Sequence, residues 1–351
     1  MKKIQLIFVS GADSNQAGSK APKDISVIAE EIGFEKISIS VSYKNHSGCR
    51  KLCDYLKSMF DWCGFLLEVP IGAVVLLQCP MEGGGKVRNF ILRFMRKLKR
   101  IKYIAVVHDV ALLRYKSPQE NDLSEFNLML DITDMMIVHN EVMKQWFERK
   151  KVSPSKLIVL NIFDYLMEKE SSKPYFEKSI SIAGNLDLKK SGYLVELKKL
   201  RSEFILYGPN YDEKIAASNV VYKGSYPPEE LPEYLNRGFG LIWDGETVDT
   251  CSGDYGNYLR YNNPHKLSLY IASGIPVFIW NEAAEAPFVE NNKLGFAISS
   301  LKDIDVIFEK LDEKEYMVLA DNVDKFSLKL IDGINTKNAI GEALNKIKEK
   351  L

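Results

Sequence analysis

Short apolar runs alternate with amphipathic segments along almost the whole chain. Such a run predicts a buried strand, and apolar residues repeated at helical spacing predict a helix that covers it. In the first half, strands are predicted at Ile4–Val9, Lys36–Val41, Ala73–Cys79, Tyr103–His108, Met135–His139 and Leu157–Asn161. Helices are predicted between them, including Ala21–Ile32 and Cys49–Cys63. This alternation indicates a parallel sheet with helices on both faces.

The alternation stops at a polar stretch, residues 168–175, and then begins again. Strands of the second half are predicted at Ser179–Ala183, Phe204–Tyr207, Val220–Lys223, Phe239–Trp243, Ile275–Ile279 and Phe296–Ile298. Helices are predicted at Lys190–Leu200, Glu229–Asn236, His265–Ala272 and Ala283–Glu290, with two closing helices at about 313–331 and 336–350.

The two halves repeat an architecture, which indicates an α/β protein with two doubly wound domains facing each other across a cleft. The first domain is expected over 1–170 and the second over 178–330. Residues 331–351 are expected to form a closing helix, with packing against the first domain as one arrangement. In such sheets ligands bind in the loops beyond the carboxyl ends of the strands.

Composition narrows the class of protein. Lys and Arg together number 47, as do Asp and Glu, so the formal net charge is zero and a nucleic-acid partner is not expected. Hydrophobic residues make up 46% of the chain and charged residues 27%, as in ordinary globular proteins. No apolar run approaches the ~18 residues of a membrane span. The five cysteines include no CxxC pair, which favours reduced thiols and a cytoplasmic location.

The loop after the first strand, residues 11–20, contains Asp13, Gly18 and Ser19. Gly18 allows a ligand to approach the backbone closely, and the start of the next helix favours an anion. A flexible surface turn explains the same residues, because no GxGxxG pattern is present. These three residues are candidates for an acceptor or N-terminal loop site.

The equivalent loop of the second half has a glycine directly after its strand. Gly184, Asn185, Lys189 and Lys190 lie between this strand and the predicted helix. Backbone N–H groups and ammonium groups would share the charge of a diphosphate. A capped helix with solvated lysines is the alternative.

Residues 244–266 form the segment richest in polar side chains. A long loop inside a compact domain is usually functional, and its composition predicts that it lies outside the core. The candidate donor-binding residues here are Asp244, Gly245, Asn262, Asn263, His265, Lys266 and Ser268. Tyr207 and Tyr226 complete the set, since the ring of Tyr226 offers a face on which a base stacks. Packing before the next helix is the alternative for Tyr226.

His108 closes a buried strand of the first domain, and Asp109 follows it. An ionisable pair at a strand end is a candidate for proton transfer, and a structural hydrogen bond explains it equally well. The motifs HExxH, GxSxG and GxxxxGK[ST] are absent. Asp303-Ile-Asp305 has the spacing of a metal-binding pair but begins a helix, so a capping role is favoured and no metal site is predicted.

Three segments of the second half carry a family resemblance: Phe239-Gly-Leu-Ile-Trp-Asp-Gly, Cys251-Ser-Gly and Tyr261-Asn-Asn-Pro-His-Lys-Leu-Ser-Leu-Tyr. They resemble bacterial β-1,6-galactofuranosyltransferases of O-antigen assembly and, more distantly, the glucosyltransferases of streptococcal serine-rich adhesins. The resemblance covers most of the chain, including Val107-His-Asp-Val and Ala183-Gly-Asn-Leu. It implies a GT-B fold of two Rossmann-like domains and a UDP-sugar donor held mainly by the second.

The resemblance also implies roles for individual residues. Lys266 would contact the diphosphate, Tyr226 the uridine side, and Asn185 with the following lysines the phosphate loop. The paired-glutamate signature of many retaining relatives is missing at the helix of Lys266, so the stereochemistry stays open. We expect an inverting reaction without metal or other cofactor, with Asp109 as the base and Asp13 as the second candidate.

Three functions remain open at this stage. The first is transfer of galactofuranose from UDP-galactofuranose to a glycan acceptor in assembly of a cell-surface polysaccharide. The second is glucosyl or other hexosyl transfer to a glycan or glycoprotein. The third is a catalytically silent GT-B module that binds a nucleotide and serves as a scaffold. Homo-oligomerisation is also left open.

The segment 86–102 has eight basic residues in seventeen and no acidic one. Its apolar residues recur at helical spacing and are expected to pack on the sheet; they are Val87, Phe90, Ile91, Phe94, Leu98 and Ile101. Lys86, Arg93, Lys97 and Arg100 are expected on another face. One interpretation is that this basic face is merely solvated. The other is that it docks on anionic lipid at the inner face of the membrane through its charges alone, near a lipid-linked acceptor.

Overall fold

The computed structural model describes residues 1–9, 20–41, 47–81, 85–168 and 173–350. The chain divides into two compact units. The first comprises the described residues within 1–14, 25–160 and 336–351, and the second those within 15–24 and 161–335. The chain therefore enters the second unit near residue 160 and returns to the first near residue 336.

The sheet of the first unit has six parallel strands in the order β2-β1-β3-β4-β5-β6. Their bounds are β1 Lys3–Val9, β2 Glu35–Ser40, β3 Val74–Cys79, β4 Lys102–Val107, β5 Met135–Val138 and β6 Leu157–Val159. The central strands β3 and β4 are almost fully buried. Apolar side chains on both faces are what a parallel sheet covered by helices requires.

The helices of this unit are α1 Lys20–Glu31, α2 Gly48–Glu68, α3 Gly85–Leu98, α4 Ala111–Arg114, α5 Glu120–Ile132 and α6 Glu141–Arg149. The first five residues of α1 are grouped with the second unit. Buried side chains from α2, α3, α5 and α6 join one apolar cluster with strands β3 and β4. Phe65, Leu92, Leu128 and Phe147 are one such residue from each helix. Within the described residues, no helix combines the length and apolarity needed to cross a bilayer.

Helix α3 packs in an orientation that differs from the predicted one. Arg88, Ile91, Leu92 and Met95 are the buried residues, whereas Val87, Phe90, Phe94 and Leu98 are exposed. Of the six apolar residues predicted to pack on the sheet, only Ile91 and Ile101 are buried, and the prediction is wrong for the other four. The reason is that the helix has two apolar stripes, and the buried guanidinium of Arg88 is satisfied by the Met81 carbonyl and the Glu125 carboxylate.

The sheet of the second unit also has six parallel strands, in the order β12-β11-β10-β7-β8-β9. The bounds are β7 Tyr175–Ala183, β8 Glu203–Tyr207, β9 Val220–Tyr222, β10 Arg237–Ile242, β11 Val277–Trp280 and β12 Gly295–Ile298. The helices are α7 Leu231–Tyr234, α8 Gly253–Tyr258, α9 His265–Ala272, α10 Ala286–Asn291, α11 Lys302–Lys310, α12 Glu313–Ile331 and α13 Ile334–Lys348.

Two predicted segments of this unit take a different form. The α-helix expected at Lys190–Leu200 is a 3₁₀ helix, Gly192–Lys199. Its start is constrained because Ser191 forms a β-bridge with Gly245 and a Cβ on Gly192 would lie 3.1 Å from the Glu246 Cα. The segment after Trp243 also enters the core, since Val248, Cys251, Tyr258 and Leu259 are buried. Its polar residues therefore surround a packed apolar centre.

Candidate active site

The order in which the chain adds strands to the sheet of the second unit reverses at β7. This strand pairs with β8 on one side and with β10 on the other. The chain runs outward from β7 through β8 to β9, and then from β10 through β11 to β12. The carboxyl ends of β7 and β10 therefore flank a topological switch point, where open α/β sheets bind their ligands.

Two glycines shape the backbone at this edge. Gly184 follows β7 with a φ of +135°, and Gly208 follows β8 with a φ of +144°. A Cβ on Gly208 would lie 1.8 Å from the carbonyl oxygen of Gly184. The Gly184 amide meanwhile donates to the Tyr207 carbonyl at 2.9 Å. The backbones of the two loops therefore approach each other closely, which a side chain on Gly208 would prevent.

Helix α9 is fixed to the sheet by Tyr270. Its hydroxyl accepts from the Ala183 amide at 2.8 Å and donates to the Ser181 carbonyl at 3.1 Å. The Tyr270 ring lies against Gly240 of β10, where a Cβ would come within 2.2 Å of it. Burial raises the pKa of Tyr270 well above its usual value, so the hydroxyl stays protonated. The start of α9 is thereby placed at the carboxyl edge of β7 and β10.

Lys266 lies in the first turn of α9. Its Nζ is 2.9 Å from Asp244 Oδ1 and 3.3 Å from the Trp243 carbonyl oxygen. Its Cε would lie 3.3 Å from a Cβ built on Gly184. The side chains of Lys266 and Asp244 are only 15% and 11% exposed. The structure therefore brings Gly184 of the loop after β7 together with Asp244 and Lys266, the two ends of the polar segment 244–266.

This arrangement suits an anion. Pro264 precedes α9, and no side chain caps the helix start. Uncapped N–H groups and the positive end of the helix dipole attract negative charge. The Lys266 ammonium adds a full positive charge at the same edge, and Asp244 holds that ammonium in place.

The loop from Gly184 to Ser191 is closed by its own hydrogen bonds. The Asn185 side-chain oxygen accepts from the Asp187 amide at 3.0 Å and from Asn210 Nδ2 at 2.9 Å. Gly245 donates to the Lys190 carbonyl at 3.0 Å, which joins this loop to the one that follows β10. Asn185 is exposed, which leaves its amide nitrogen accessible.

The two lysines of this loop differ. Lys189 is exposed, and its backbone amide donates to Asp187 Oδ1 at 2.9 Å. Lys190 Nζ lies over the ring of Tyr255 of α8 at 5.6 Å from the ring centre, a cation–π geometry that Lys189 lacks.

An aromatic group lies further along the same edge. The ring of Tyr226 stacks on Tyr234 with a centroid distance of 4.0 Å and lies 6.3 Å from the ring centre of Tyr207. Tyr226 is half-buried, whereas Tyr207 is buried and its hydroxyl donates to the Tyr234 carbonyl at 3.2 Å. Tyr226 therefore keeps surface for a base, and Tyr207 serves this site through its backbone and its packing.

Some predicted donor-binding residues are occupied within the protein. The buried Ser268 hydroxyl donates to the Phe163 carbonyl at 2.8 Å, and the buried Asn263 Nδ2 donates to the Asn161 carbonyl at 2.9 Å. His265 lies 5.4 Å from the Tyr165 ring centre. These contacts tie α9 to the segment that enters this unit, and donor binding by Ser268 and Asn263 stays a prediction.

Asn262 contrasts with Asn263. The buried side-chain oxygen of Asn262 has no hydrogen-bond partner among the described residues. A buried acceptor without a donor is costly, so a ligand donor is what this atom lacks. Asn262 therefore stays a candidate for a contact to the donor.

The carboxyl ends of β3, β4 and β5 in the first unit hold a second polar cluster. His108 Nε2 donates to Gln78 Oε1 at 2.7 Å, and His139 Nε2 donates to the Val107 carbonyl at 2.9 Å. Burial lowers the pKa of His108 to about 4. Burial and the neighbouring His108 lower the pKa of His139 to about 3. Both imidazoles are therefore neutral at pH 7.

Asp109 directly follows His108 in the sequence and forms an ion pair with Arg114. Its Oδ2 is 2.7 Å from Arg114 Nη1 of α4, and its Oδ1 is buried without a hydrogen-bond partner among the described residues. One carboxylate oxygen is thus held by a cation while the other is left to accept a proton or a hydroxyl hydrogen.

Sequence reasoning missed several parts of these sites. His139 closes β5 as His108 closes β4, and Gly208 follows β8 as Gly184 follows β7, so strand-end position was the signal for both.

Asp13, Gly18 and Ser19 lie outside the described residues. Asp303 accepts from Ser299 and Ser300, and Asp305 from Ser202. Among the described residues, no three His, Cys, Asp or Glu side chains are grouped to hold a metal ion.

Comparison with known proteins identifies the family. Residues 3–162 match the model for the Glucosyltransferase 3-like N-terminal domain, and residues 180–343 match that for the C-terminal domain. The chain is 31% identical over 340 residues to the β-1,6-galactofuranosyltransferase WbbI of Escherichia coli K12, covering 95% of this chain and 96% of that protein. It is 27% identical over 348 residues to Glucosyltransferase 3 of Streptococcus gordonii, covering 98% and 99%.

Solved structures share the fold at lower identity. Sucrose-phosphate synthase of Thermosynechococcus elongatus has a TM-score of 0.62 at 12% identity, covering 99% of this chain and 100% of that chain. HepE of Anabaena in complex with UDP has a TM-score of 0.60 at 12% identity, covering 98% and 99%. The resemblance and the α/β fold predicted from the sequence are confirmed. The protein belongs to the Glucosyltransferase 3-like family and is a glycosyltransferase with the GT-B fold.

Proposed function

We propose that this glycosyltransferase moves galactofuranose from UDP-galactofuranose to a glycan acceptor during assembly of a cell-surface polysaccharide. The observation that carries the proposal is the group formed by Gly184, Asp244 and Lys266 at the switch point of the second unit. The choice of sugar is supported by the name of the Escherichia coli relative.

The donor diphosphate would lie over Gly184 at the start of α9. Backbone N–H groups and the Lys266 ammonium would share its charge. A UDP moiety is supported by HepE of Anabaena, a protein of the same fold that has been solved with UDP and with UDP-glucose. The uracil ring would replace Tyr234 or stack on the other face of Tyr226.

Asp244, a donor-binding candidate from the sequence, is proposed to act indirectly. Its Oδ1 accepts a hydrogen bond from Lys266 Nζ at 2.9 Å. Facing a diphosphate, a carboxylate by itself is unfavourable. Asp244 is therefore proposed as a positioning residue that directs the Lys266 ammonium toward the site.

The reaction proposed is a single displacement. The acceptor hydroxyl loses its proton as its oxygen attacks the anomeric carbon, and the bond from that carbon to the UDP oxygen breaks. Lys266 stabilises the negative charge that develops on the departing diphosphate. Asp109 is proposed to take the proton through its unpartnered Oδ1, while Arg114 holds the other oxygen. No metal enters this scheme.

A panel of nucleotide sugars tests the proposal. The protein is incubated with UDP-galactofuranose, UDP-galactopyranose, UDP-glucose and UDP-N-acetylglucosamine, each with and without a galactose- or glucose-terminated acceptor, and UDP release is measured. We expect acceptor-dependent UDP release from UDP-galactofuranose, insensitive to EDTA, and a product with inverted anomeric configuration by NMR. Release confined to another sugar would refute the choice of donor.

Glucosyl transfer is the second candidate, because the streptococcal relatives are named Glucosyltransferase 3. The same panel separates the two, since only the ring form and the epimeric hydroxyls differ between the donors. UDP binding by calorimetry without turnover on any donor would instead favour the silent scaffold.

A further inference from the structure

Helix α3 presents an apolar surface to solvent on the side opposite the sheet. The side chains of Val87, Phe90, Phe94 and Leu98 are spaced by three or four residues, and we refer to these four as the outer apolar face. Phe90 and Leu98 are 68% and 63% exposed. The rings of Phe90 and Phe94 stack on each other at 6.0 Å. A contiguous exposed apolar stripe of this kind marks an interaction site.

The neighbouring helix α2 has the same property. Leu52, Leu56, Met59 and Leu67 are exposed and also follow helical spacing. The crossovers from β2 to β3 and from β3 to β4 run in the same direction across the sheet, and right-handed crossovers place α2 and α3 on the same face. Lys99, just beyond α3, donates to the Val69 carbonyl at the end of α2 at 2.8 Å. The two exposed stripes are therefore adjacent.

Basic residues of α3 border this surface. Helix α3 contains no acidic residue. Arg88, Arg93 and Arg96 are paired with the carboxylates of Glu125, Asp131 and Asp134.

Lys86, Lys97 and Arg100 are exposed, and none of them has an ion-pair partner among the described residues. Three exposed cations therefore border exposed aromatic side chains.

We propose that the outer apolar face docks on the surface of an anionic lipid bilayer, with Phe90 and Phe94 in the headgroup region and the three cations on lipid phosphates. Aromatic side chains favour that region, and an amphipathic helix with a basic border binds anionic lipid through apolar burial and charge together. The sequence alone had predicted contact through charge only, because it placed the apolar stripe against the sheet.

A second copy of the chain fits this surface less well. Two copies meeting through their outer apolar faces would bring Lys86, Lys97 and Arg100 of each near the cations of the other, and like charges at an interface are repulsive. An anionic bilayer complements the same cations. The surface is independent of the proposed sugar transfer, because it uses none of the residues proposed for that reaction.

Co-sedimentation with vesicles tests the proposal without donor or acceptor. Vesicles of phosphatidylcholine with phosphatidylglycerol are compared with vesicles of phosphatidylcholine alone, at low and at high salt. We expect binding to the anionic vesicles, weakened but not abolished by salt, and weak or absent binding to the neutral ones. Failure of the wild-type protein to sediment with anionic vesicles at low salt overturns the proposal.

Matched variants separate the two contributions. Phe90→Ser with Phe94→Ser should weaken binding roughly tenfold or more, while Val318→Ser with Leu328→Ser, an exposed apolar pair of α12, should not change it. Lys86→Glu with Lys97→Glu should also weaken binding roughly tenfold or more. The control Lys314→Glu with Lys325→Glu, two exposed lysines of α12, should leave it unchanged. Melting by circular dichroism checks that all four fold.

Two further measurements show how deeply residue 90 inserts into the bilayer and whether a second copy of the chain covers the outer apolar face. Tryptophan introduced as Phe90→Trp should gain fluorescence quenching by brominated acyl chains, whereas contact through charge alone would leave it unquenched and overturn the insertion. Sedimentation velocity without lipid is the last arm. A wild-type dimer that becomes a monomer in the Phe90→Ser, Phe94→Ser variant would assign this face to a second copy and overturn the membrane proposal.

Discussion

The carboxyl edges of the two sheets carry opposite chemistry on the same topological scaffold. In the second unit the edge offers glycine backbone, a helix start and the Lys266 ammonium, which together receive negative charge. In the first unit the edge offers neutral imidazoles and a carboxylate, Asp109, with one unpartnered oxygen. In the proposed reaction, the edge of the second unit would receive the departing anion and that of the first would accept the proton. Function depends on the strand-end residues rather than on the sheet.

Removing the carboxylate of the first unit gives the largest expected effect. Asp109→Asn keeps the shape of the side chain but removes its capacity to accept a proton, so kcat should fall roughly 10²–10⁴-fold. UDP affinity, measured by calorimetry, should stay unchanged because the donor is proposed to bind the second unit. A variant with near wild-type kcat would move the base elsewhere, with Asp13 as the next candidate.

Removing the cation of the second unit comes next. Lys266→Ala should lower kcat roughly a hundredfold, because it removes a donor to the developing charge. The ion pair with Asp244 means that folding should be affected as well. The variant leaves a mostly buried carboxylate without its partner, which should cost about 1–3 kcal/mol of unfolding free energy.

The double variant Lys266→Ala, Asp244→Asn separates the two effects of Lys266. It should recover most of the stability, measured by urea unfolding, because no buried charge remains unpaired, yet kcat should stay low. Recovery of activity in the double variant would show that the ammonium matters only by neutralising Asp244, and the contrast between the two edges would then lose its electrostatic basis.

Acidification should lower the unfolding free energy of the first unit gradually. The pKa of His108 is about 4 and that of His139 about 3, both below the ordinary 6.5. Between these folded values and pH 6.5 the unfolded chain therefore binds more protons than the folded one. This contribution to stability is complete above pH 6.5 and is lost as the pH falls toward 4, by at most about 1.4 kcal/mol per pH unit for each histidine.

Urea unfolding between about pH 5 and 7 measures this slope, since carboxylates stay largely ionised there. His108→Gln should reduce the slope, because the amide can still bind Gln78 and does not titrate. An unchanged slope would mean that the fold does not depress the pKa of His108, and the first edge would then gain positive charge below about pH 6.5.

The strands could be predicted because a parallel sheet buries both faces of each strand and leaves long apolar runs. Most of the predicted bounds differ from the observed ones by one or two residues, although β7 begins at Tyr175 instead of Ser179. Gly184 and Lys266 could be predicted for a related reason, since chemistry in such sheets lies directly after strands and at helix starts. Local order along the chain was sufficient for both.

Other features depend on contacts between distant segments and could not be predicted from the sequence. Helix α3 has two apolar stripes, and only the carboxylate of Glu125 explains why the stripe with Arg88 is buried. The pairing of Asp244 with Lys266 and the capture of Ser268 by the Phe163 carbonyl are likewise tertiary. The type of residue therefore identified candidate side chains, but it did not show whether their hydrogen-bond or ion-pair partner is another part of the protein or a ligand.

Tyr270 has a consequence for how donor preference can diverge among related proteins. Its hydroxyl joins α9 to β7 and its ring fills the space above Gly240. The proposed diphosphate end of the site is therefore built on a rigid frame that tolerates few replacements. The loop after β10 is part of the packed core at Val248 and Cys251, whereas Glu246 and Asp249 of the same loop are exposed. We expect related proteins to differ in donor preference at such exposed positions, because substitutions there leave both the frame and the core intact.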